Sequence, residues 1–347
     1  MLTRESGRFS AARGFRSEDE FVEWVRRCAQ PRAGGLWVGI GDDTAVVLLR
    51  PGRRLLLTTD LSIEGVHFDS ELHPAESVGH RALARSLSDI AAMGGTPRFA
   101  LVSLALSSRV SRRWVERFYA GLFKLARRFG VEVVGGDTSR HIGKTLADVM
   151  VAGEASNGNI LLRSGARAGD RLYVAGDLGA AALGLKRLRL KHRRNSPAIQ
   201  AAVRAHLYPE PQCELGRYLA AKKLASAAMD LSDGLSSDLR RLCVASGVGA
   251  RICADRIPCV QSLPGETMRR TSALGLALHG GEDYSLLFTV PPSKLSRLPA
   301  VFRGVHLFEI GQVTASRAIL LVSADGAEQP LAPGGYDHFR PHRQVWD

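Results

Sequence analysis

Val131-Glu132-Val133-Val134-Gly135-Gly136-Asp137-Thr138 decides how this chain folds, because an apolar strand runs directly into two glycines, a carboxylate and a hydroxyl. Residues 111–129 before it carry an amphipathic helical period, which Gly130 ends. Further upstream, residues 99–106 read as a strand. Residues 77–93 read as a helix with Leu83, Leu87, Ile90 and Ala91 inward and Gly94-Gly95 as its stop. Asp89 lies off that stripe near the helix C-terminus, where it opposes the helix dipole and calls for a compensating cation or a solvated place. Residues 55–59 are predicted to form a strand whose end delivers Asp60, and 147–151 another. Ser17 and Glu20 form a capping box ahead of Phe21, Trp24, Val25 and Cys28 on one helical face. Helices alternate with short strands, an α/β pattern.

Over residues 155–170 the pattern dissolves into Ser, Asn and Gly, and a fresh series of elements follows. Strands are expected at 171–175 and 284–290, with a helix opening after Asp233-Gly234 on Leu235, Leu239, Leu242 and Cys243. The expected division is a disordered leader at 1–16, an N-terminal α/β domain at 17–155 and a C-terminal α/β domain at 165–341. Several carboxylates then fall at strand ends or helix starts, where α/β folds place their ligands.

Composition narrows the class. The 347 residues contain no apolar run long enough to span a bilayer, and the basic N-terminus lacks the apolar core of a secretory signal. Cys28, Cys213, Cys243, Cys253 and Cys259 are scattered and form no Cys-x-x-Cys pair, which suits reduced cysteines in a cytoplasmic protein. The net charge of +13 is compatible with nucleic acid or with anionic nucleotide substrates. Much of the excess sits in residues 186–194, where no aromatic side chains interleave to stack bases. A solvated helix end explains that segment better than an RNA surface does.

Six short acidic stretches recur: Gly41-Asp42-Asp43, Thr58-Thr59-Asp60, Ser88-Asp89, Gly135-Gly136-Asp137-Thr138, Asp230-Leu231-Ser232-Asp233-Gly234 and Gly280-Gly281-Glu282-Asp283. Any one of them is more easily a turn than a ligand set. Together they point to hard oxygen donors gathered around Mg²⁺ and a polyphosphate. Two tempting nucleotide signatures fail. Gly143-Lys144-Thr145 has Thr138 where a P-loop needs its first glycine, and Gly39-Ile40-Gly41 has Thr44 at the third glycine of a dinucleotide fingerprint.

The acidic stretches, joined by Gly65-Val66-His67-Phe68 and Gly335-Tyr336-Asp337-His338-Phe339, resemble the thiamine-monophosphate kinases. These belong to the superfamily of aminoimidazole-ribonucleotide synthetase, selenophosphate synthetase and the hydrogenase-maturation dehydratase. The resemblance runs in order from Glu18 to Phe339, with two departures: Ser285 stands where Glu is usual, and residues 186–194 are unusually basic. It implies a two-domain aminoimidazole-ribonucleotide synthetase-like α/β fold whose N-terminal strands pair across a homodimer. It implies ATP-dependent, Mg²⁺-dependent phosphorylation of thiamine monophosphate to thiamine diphosphate, the last step in making that cofactor, with no membrane and no nucleic acid involved. By resemblance Asp43, Thr58, Thr59, Asp60, Asp89, Asp137, Asp230 and Asp233 would hold several Mg²⁺ ions. Tyr119, Gly136, Asp137, Arg163 and Ser232 would contact ATP. His67, Glu282 and Tyr336 would hold the substrate, Tyr336 stacking on its rings and Glu282 balancing its positive charge. Taken one at a time, His67 reads equally as a bonded loop histidine and Tyr336 as a capping aromatic. Another superfamily activity is one alternative, although selenophosphate synthetase's reactive Cys or selenocysteine near a Lys-rich glycine loop and the dehydratase's C-terminal cysteine have no counterpart here. An RNA-associated protein using the basic surface is a second, against which the intact acidic motifs argue.

Overall fold

The computed structural model describes residues 18–29, 36–38, 46–47, 50–190, 196–260 and 270–336. Ser17 of the capping box, the 1–16 leader, Asp42 and Asp43, and Asp337-His338-Phe339 lie outside the described residues. Helix α1 spans Glu18–Ala29, and β1 (Leu36–Val38) pairs antiparallel with β2 (Val46–Val47). The elements that follow are β3 (Arg53–Ile63), α2 (Ala75–Ala92), β4 (Thr96–Ser107), α3 (Arg112–Phe129), β5 (Glu132–His141) and β6 (Leu146–Ser156). The sheet order is β3-β6-β4-β5, with β4 and β5 parallel and the other pairs antiparallel. Helix α3 starts where Ser111 accepts a hydrogen bond from the Trp114 amide, and stops at left-handed Gly130.

In the second half come β7 (Arg171–Ala175), α4 (Ala180–Arg189), α5 (Pro197–Leu207), α6 (Cys213–Ala221), β8 (Ala227–Leu231), α7 (Leu235–Ser246), β9 (Gly249–Cys253), α8 (Arg270–His279) and β10 (Ser285–Val290). The chain closes with β11 (Val301–Phe302), β12 (Val305–Thr314), β13 (Ile319–Val322) and β14 (Glu328–Pro330). The second sheet runs β14-β13-β9-β12-β7-β10-β8, with β11 beside β12. Its only parallel pair among the described strands is β9 with β13.

Helix α2 joins the halves. Every residue of it is buried except Glu76, Arg85 and Asp89, so the single inward stripe expected from the sequence is only part of its contact surface. One side packs on β3, β6 and α3; the other meets α5, α6, β8 and β10. A continuous core follows, with Leu87, Val102 and Phe118 in the same apolar cluster as Ala228, Leu286 and Phe288.

Two expectations about strand ends need correction. Asp60 lies inside β3, which continues to Ile63, and Gly135-Gly136-Asp137 lies within β5 rather than after it. Ladder pairing to β6 and β4 holds both stretches extended past the last apolar residue, because hydrogen bonding needs no side-chain hydrophobicity. Alternation then splits the acidic set. Thr58, Asp60 and Ser62 turn towards α2, whereas Leu55, Leu57, Thr59 and Leu61 face outward.

Candidate active site

A cavity of about 380 Å³ opens between the two halves. The first half contributes Asp60 from β3, His67 from the loop after β3, and Arg85 and Asp89 from α2. The second contributes Asp230 from β8, Ser232 and Asp233 from the turn into α7, Glu282 from the turn into β10, and Tyr336 at the rim. Eight of the residues expected at the site therefore meet here: Asp60, His67, Asp89, Asp230, Ser232, Asp233, Glu282 and Tyr336.

The acidic end is crowded. The Thr58 hydroxyl donates to Asp89, Ser88 donates to Asp230 at 3.0 Å, and Ser86 reaches Asp60 at 3.4 Å. Burial, opposed by the Arg85 guanidinium and reinforced by Asp89, pushes Asp60 up to about 6. Asp230 is pushed to about 8, by burial first and the Asp89 and Asp238 charges second. Burial raises Asp89 as well, while Thr58, Arg163 and Arg85 oppose it. These two arginines are the compensation that a carboxylate near a helix C-terminus requires. Arg85 sits 3.5 Å from Asp60, and its buried Nε has no hydrogen-bond partner among the described groups. Carboxylates that burial makes reluctant to ionise are a donor set suited to a cation. Among the described residues, however, no three His, Cys, Asp or Glu side chains already stand together as a metal site.

The opposite end is built on strained backbone. Glu282 (φ 61°) and Tyr284 (φ 50°) occupy the left-handed region without being glycine, next to Gly281 at φ 66°. The amides of Glu282 and Tyr284 hold the turn by donating to the Ser232 and Leu231 carbonyls at 2.7 and 2.9 Å. His67 accepts from the Ile63 amide at Nδ1, 3.0 Å, which makes Nε2 its donor. The Tyr336 amide donates to the Asp233 carbonyl at 3.3 Å. Asp283 faces elsewhere: it accepts from the Gly179 and Ala181 amides at 2.7 and 3.1 Å and caps α4.

Several expected residues stand apart. Tyr119 is 2% exposed and packs in the core against Trp24, Phe118 and Phe123, so it does not line the cavity. Thr59 and Asp137 lie on the outer face of the first sheet. Thr59 donates to Asp148 at 2.5 Å, and Asp137 is in register with Ser103, itself in register with Asp148. Gly136 is required by its neighbour, since a Cβ there would sit 1.9 Å from the Val102 carbonyl oxygen. Arg163 is exposed and reaches the site only through its charge on Asp89. The basic segment ends α4 as expected for residues 186–190, although Arg189 also reaches the cavity. Sequence reasoning passed over Arg81, Arg85, His73, His206 and Asp148. Asp148 was detectable as a carboxylate in the alternation of an apolar strand; the others were not, being singly placed polar residues on helices and loops.

The chain matches AIR synthase related protein, N-terminal domain, over residues 41–155 and AIR synthase related protein, C-terminal domain, over 167–322. It is 37% identical over 308 residues to thiamine-monophosphate kinase of Escherichia coli strain K12, covering 87% of this chain and 92% of that protein. The crystal structure of thiamine-monophosphate kinase from Stenotrophomonas maltophilia superposes with a TM-score of 0.78 at 32% identity, over 87% of this chain and 95% of that one. The structure of AaThiL complexed with AMPPCP and TMP gives a TM-score of 0.72 at 32% identity, over 93% and 97%. A two-ended cavity inside this fold, and identity sustained across both halves, place the chain in the thiamine-monophosphate kinase family.

Proposed function

We propose that this chain transfers the γ-phosphoryl group of ATP to thiamine monophosphate, giving ADP and thiamine diphosphate. The observation that carries this is the cavity's polarity, with carboxylates at one end and Glu282, His67 and Tyr336 at the other. A substrate with a phosphate on one side and a cationic ring on the other fits such a cavity in one orientation only. An oxygen of the substrate phosphate attacks the γ-phosphorus as the bond to the ADP oxygen breaks. A phosphate monoester is already ionised at neutral pH, so positioning and charge neutralisation suffice and no strong base is needed.

Mg²⁺ fits the acidic end, whose donors are hard carboxylate and hydroxyl oxygens. Thr58, Asp60, Asp89 and Asp230 would hold it on the inner side, Asp233 beside them, and Asp43 would join from outside the described residues. Bound there, Mg²⁺ would neutralise the transferred phosphoryl group. Thr59 and Asp137, with Asp148, would hold metal and phosphate on the outer sheet face; Gly136, Arg163 and Ser232 would approach ATP. Tyr336 stacks on the substrate rings, Glu282 balances their charge, and His67 donates from Nε2.

The same outer face exposes Leu55, Leu57 and Leu61 (43, 62 and 48%) on a long strand, apolar area that a second copy would cover. A homodimer paired through β3 therefore accompanies the proposal, with domains at 17–155 and 165–341. No helix of the described residues is long and apolar enough to cross a membrane, and a cytoplasmic location suits the two soluble substrates. Incubating the purified protein with ATP, Mg²⁺ and thiamine monophosphate should yield thiamine diphosphate. ATP turnover that needs a different acceptor would replace this substrate.

A further inference from the structure

Two helices bring polar groups directly to the Glu282 carboxylate. Arg81 of α2, with a side chain 4% exposed, donates from Nη2 to Oε1 at 2.6 Å. His206 of α5, 1% exposed, places Nδ1 3.3 Å from Oε2. Behind it stands His73, with the two Nε2 atoms 2.9 Å apart. Arg81 also donates to the His206 carbonyl, and to the His67 carbonyl at 3.2 Å. One guanidinium thereby ties α2, α5, the His67 loop and the turn carrying Glu282.

The two histidines form a buried chain behind the carboxylate. His73 Nδ1 lies 3.1 Å from both the amide and the carbonyl of Asp69, and its Nε2 bonds His206 Nε2, one ring donating to the other. His206 Nδ1 stands between the Glu282 carboxylate at 3.3 Å and Arg81 Nη1 at 3.4 Å, so the ring packs against both members of the ion pair. Burial, with Arg81 nearby, keeps His206 neutral by pushing it down to about 3. Burial alone would raise Glu282, yet Arg81, followed by His206 and Arg85, outweighs it and holds the carboxyl at about 2. Apolar replacements often serve stability as well as a buried ion pair does. This pair differs from a purely structural one in that its carboxylate opens on the cavity while its cation is sealed.

We propose that Arg81 and His206 are positioning residues that keep the Glu282 carboxylate ionised and aimed into the cavity, so that it selects a cationic ring over a neutral one of the same shape. This rests on Glu282 as the counter-charge of the substrate. The charged and titratable groups near Glu282 are Arg81 and Arg85 from α2, His206 from α5, His73 from the loop before α2, Tyr336 from the C-terminal segment, and Tyr284 and the outward-turned Asp283 of its own turn. Arg81 also lowers His206 and His73, but burial is the larger cause for both and keeps them neutral above pH 7. With Asp283 at about 6 and both tyrosines raised, Glu282 is left as the group whose ionisation between pH 7 and 9 depends on Arg81.

The test compares wild type with R81M, R81K, H206Q and E282Q, using thiamine monophosphate and an analogue in which neutral thiophene replaces the thiazolium. In wild type, KM for thiamine monophosphate should be flat from pH 7 to 9. In R81M it should rise about tenfold at pH 7 and fall back towards wild type by pH 9, as an unpaired buried Glu ionises. KM for ATP should stay within about twofold, and R81K should restore the flat profile. R81M at pH 7 and H206Q should both discriminate less between the two compounds. A pH-independent loss in R81M that is equal for both compounds overturns the proposal. Should R81M not fold, H206Q decides: unchanged KM and unchanged discrimination overturn it equally. E282Q separates the levels, because wild-type KM and discrimination in that variant remove the underlying role of Glu282 itself.

Discussion

Asp60 shows how a single carboxylate is made useful by its surroundings. It faces α2, stands 3.5 Å from Arg85 and is pushed up to about 6, so its charge is costly in the fold and a bound cation would relieve it. Asp60→Asn should keep the fold and lower kcat at least ~100-fold, taking metal charge neutralisation as worth several kcal/mol. Wild-type turnover at saturating ATP and ordinary Mg²⁺ would remove Asp60 from the chemistry. Tyr336 tests the other end. It is 37% exposed at the rim, where an aromatic face can meet a flat cationic ring. Tyr336→Ala should raise KM for thiamine monophosphate, Tyr336→Phe should change it little, and KM for ATP should hold in both. Equal losses for the two substrates would point to packing instead.

Helices α2 and α3 illustrate the element scale. A Cβ on Gly79 would lie 1.9 Å from the Phe118 carbonyl oxygen, and one on Gly121 would lie 1.9 Å from that of Glu76. The two backbones approach so closely that only glycine fits at either crossing. Gly121→Ala should cost about 1–3 kcal/mol through forced separation, read as a lower denaturation midpoint. An unchanged midpoint would show that the pair can slide apart freely. The elements themselves were legible in the chain, since α3, its Ser111 start and its Gly130 stop follow from local chemistry. The full burial of α2 was not, because its second face is apolar through small residues such as Ala82 and Ala84, which give little periodic contrast.

At the scale of the molecule, burial of charge and of apolar surface makes two predictions. Burial lowers His73, His80 and His206, the last to about 3 against an ordinary 6.5. At these sites the unfolded chain binds more protons between those values, so the histidines' share of the stability should be lost as pH drops from about 6.5 towards 3. The raised carboxylates Asp60, Asp230 and Asp283 act with the opposite sign. His206→Gln should make that acid limb shallower in urea midpoints measured across pH; an identical slope would show that His206 does not contribute. The outer sheet face predicts association. Light scattering at micromolar concentration should report a dimer, and Leu57→Glu should weaken it while leaving the helical signal intact. A fully active wild-type monomer removes any need for the second copy.

Glycine and carboxylate placement, helix caps and strand alternation are properties of neighbouring residues, so the α/β pattern and most of the cavity's carboxylates could be read directly from the chain, whereas His67 and Tyr336 stood out only through the family resemblance. Which side of a strand each carboxylate serves was readable in principle, since Thr58 and Thr59 must diverge, but the ladder that extends β3 past Asp60 is a contact with distant β6. Tyr119 entered the core because its neighbours in space are Trp24, Phe118 and Phe123, a fact no local pattern carries. The Arg81–Glu282–His206 network lies further still from local reach. Its members are separated by up to 201 positions, and they acquire a joint meaning only when burial strips away water and leaves each as the other's partner.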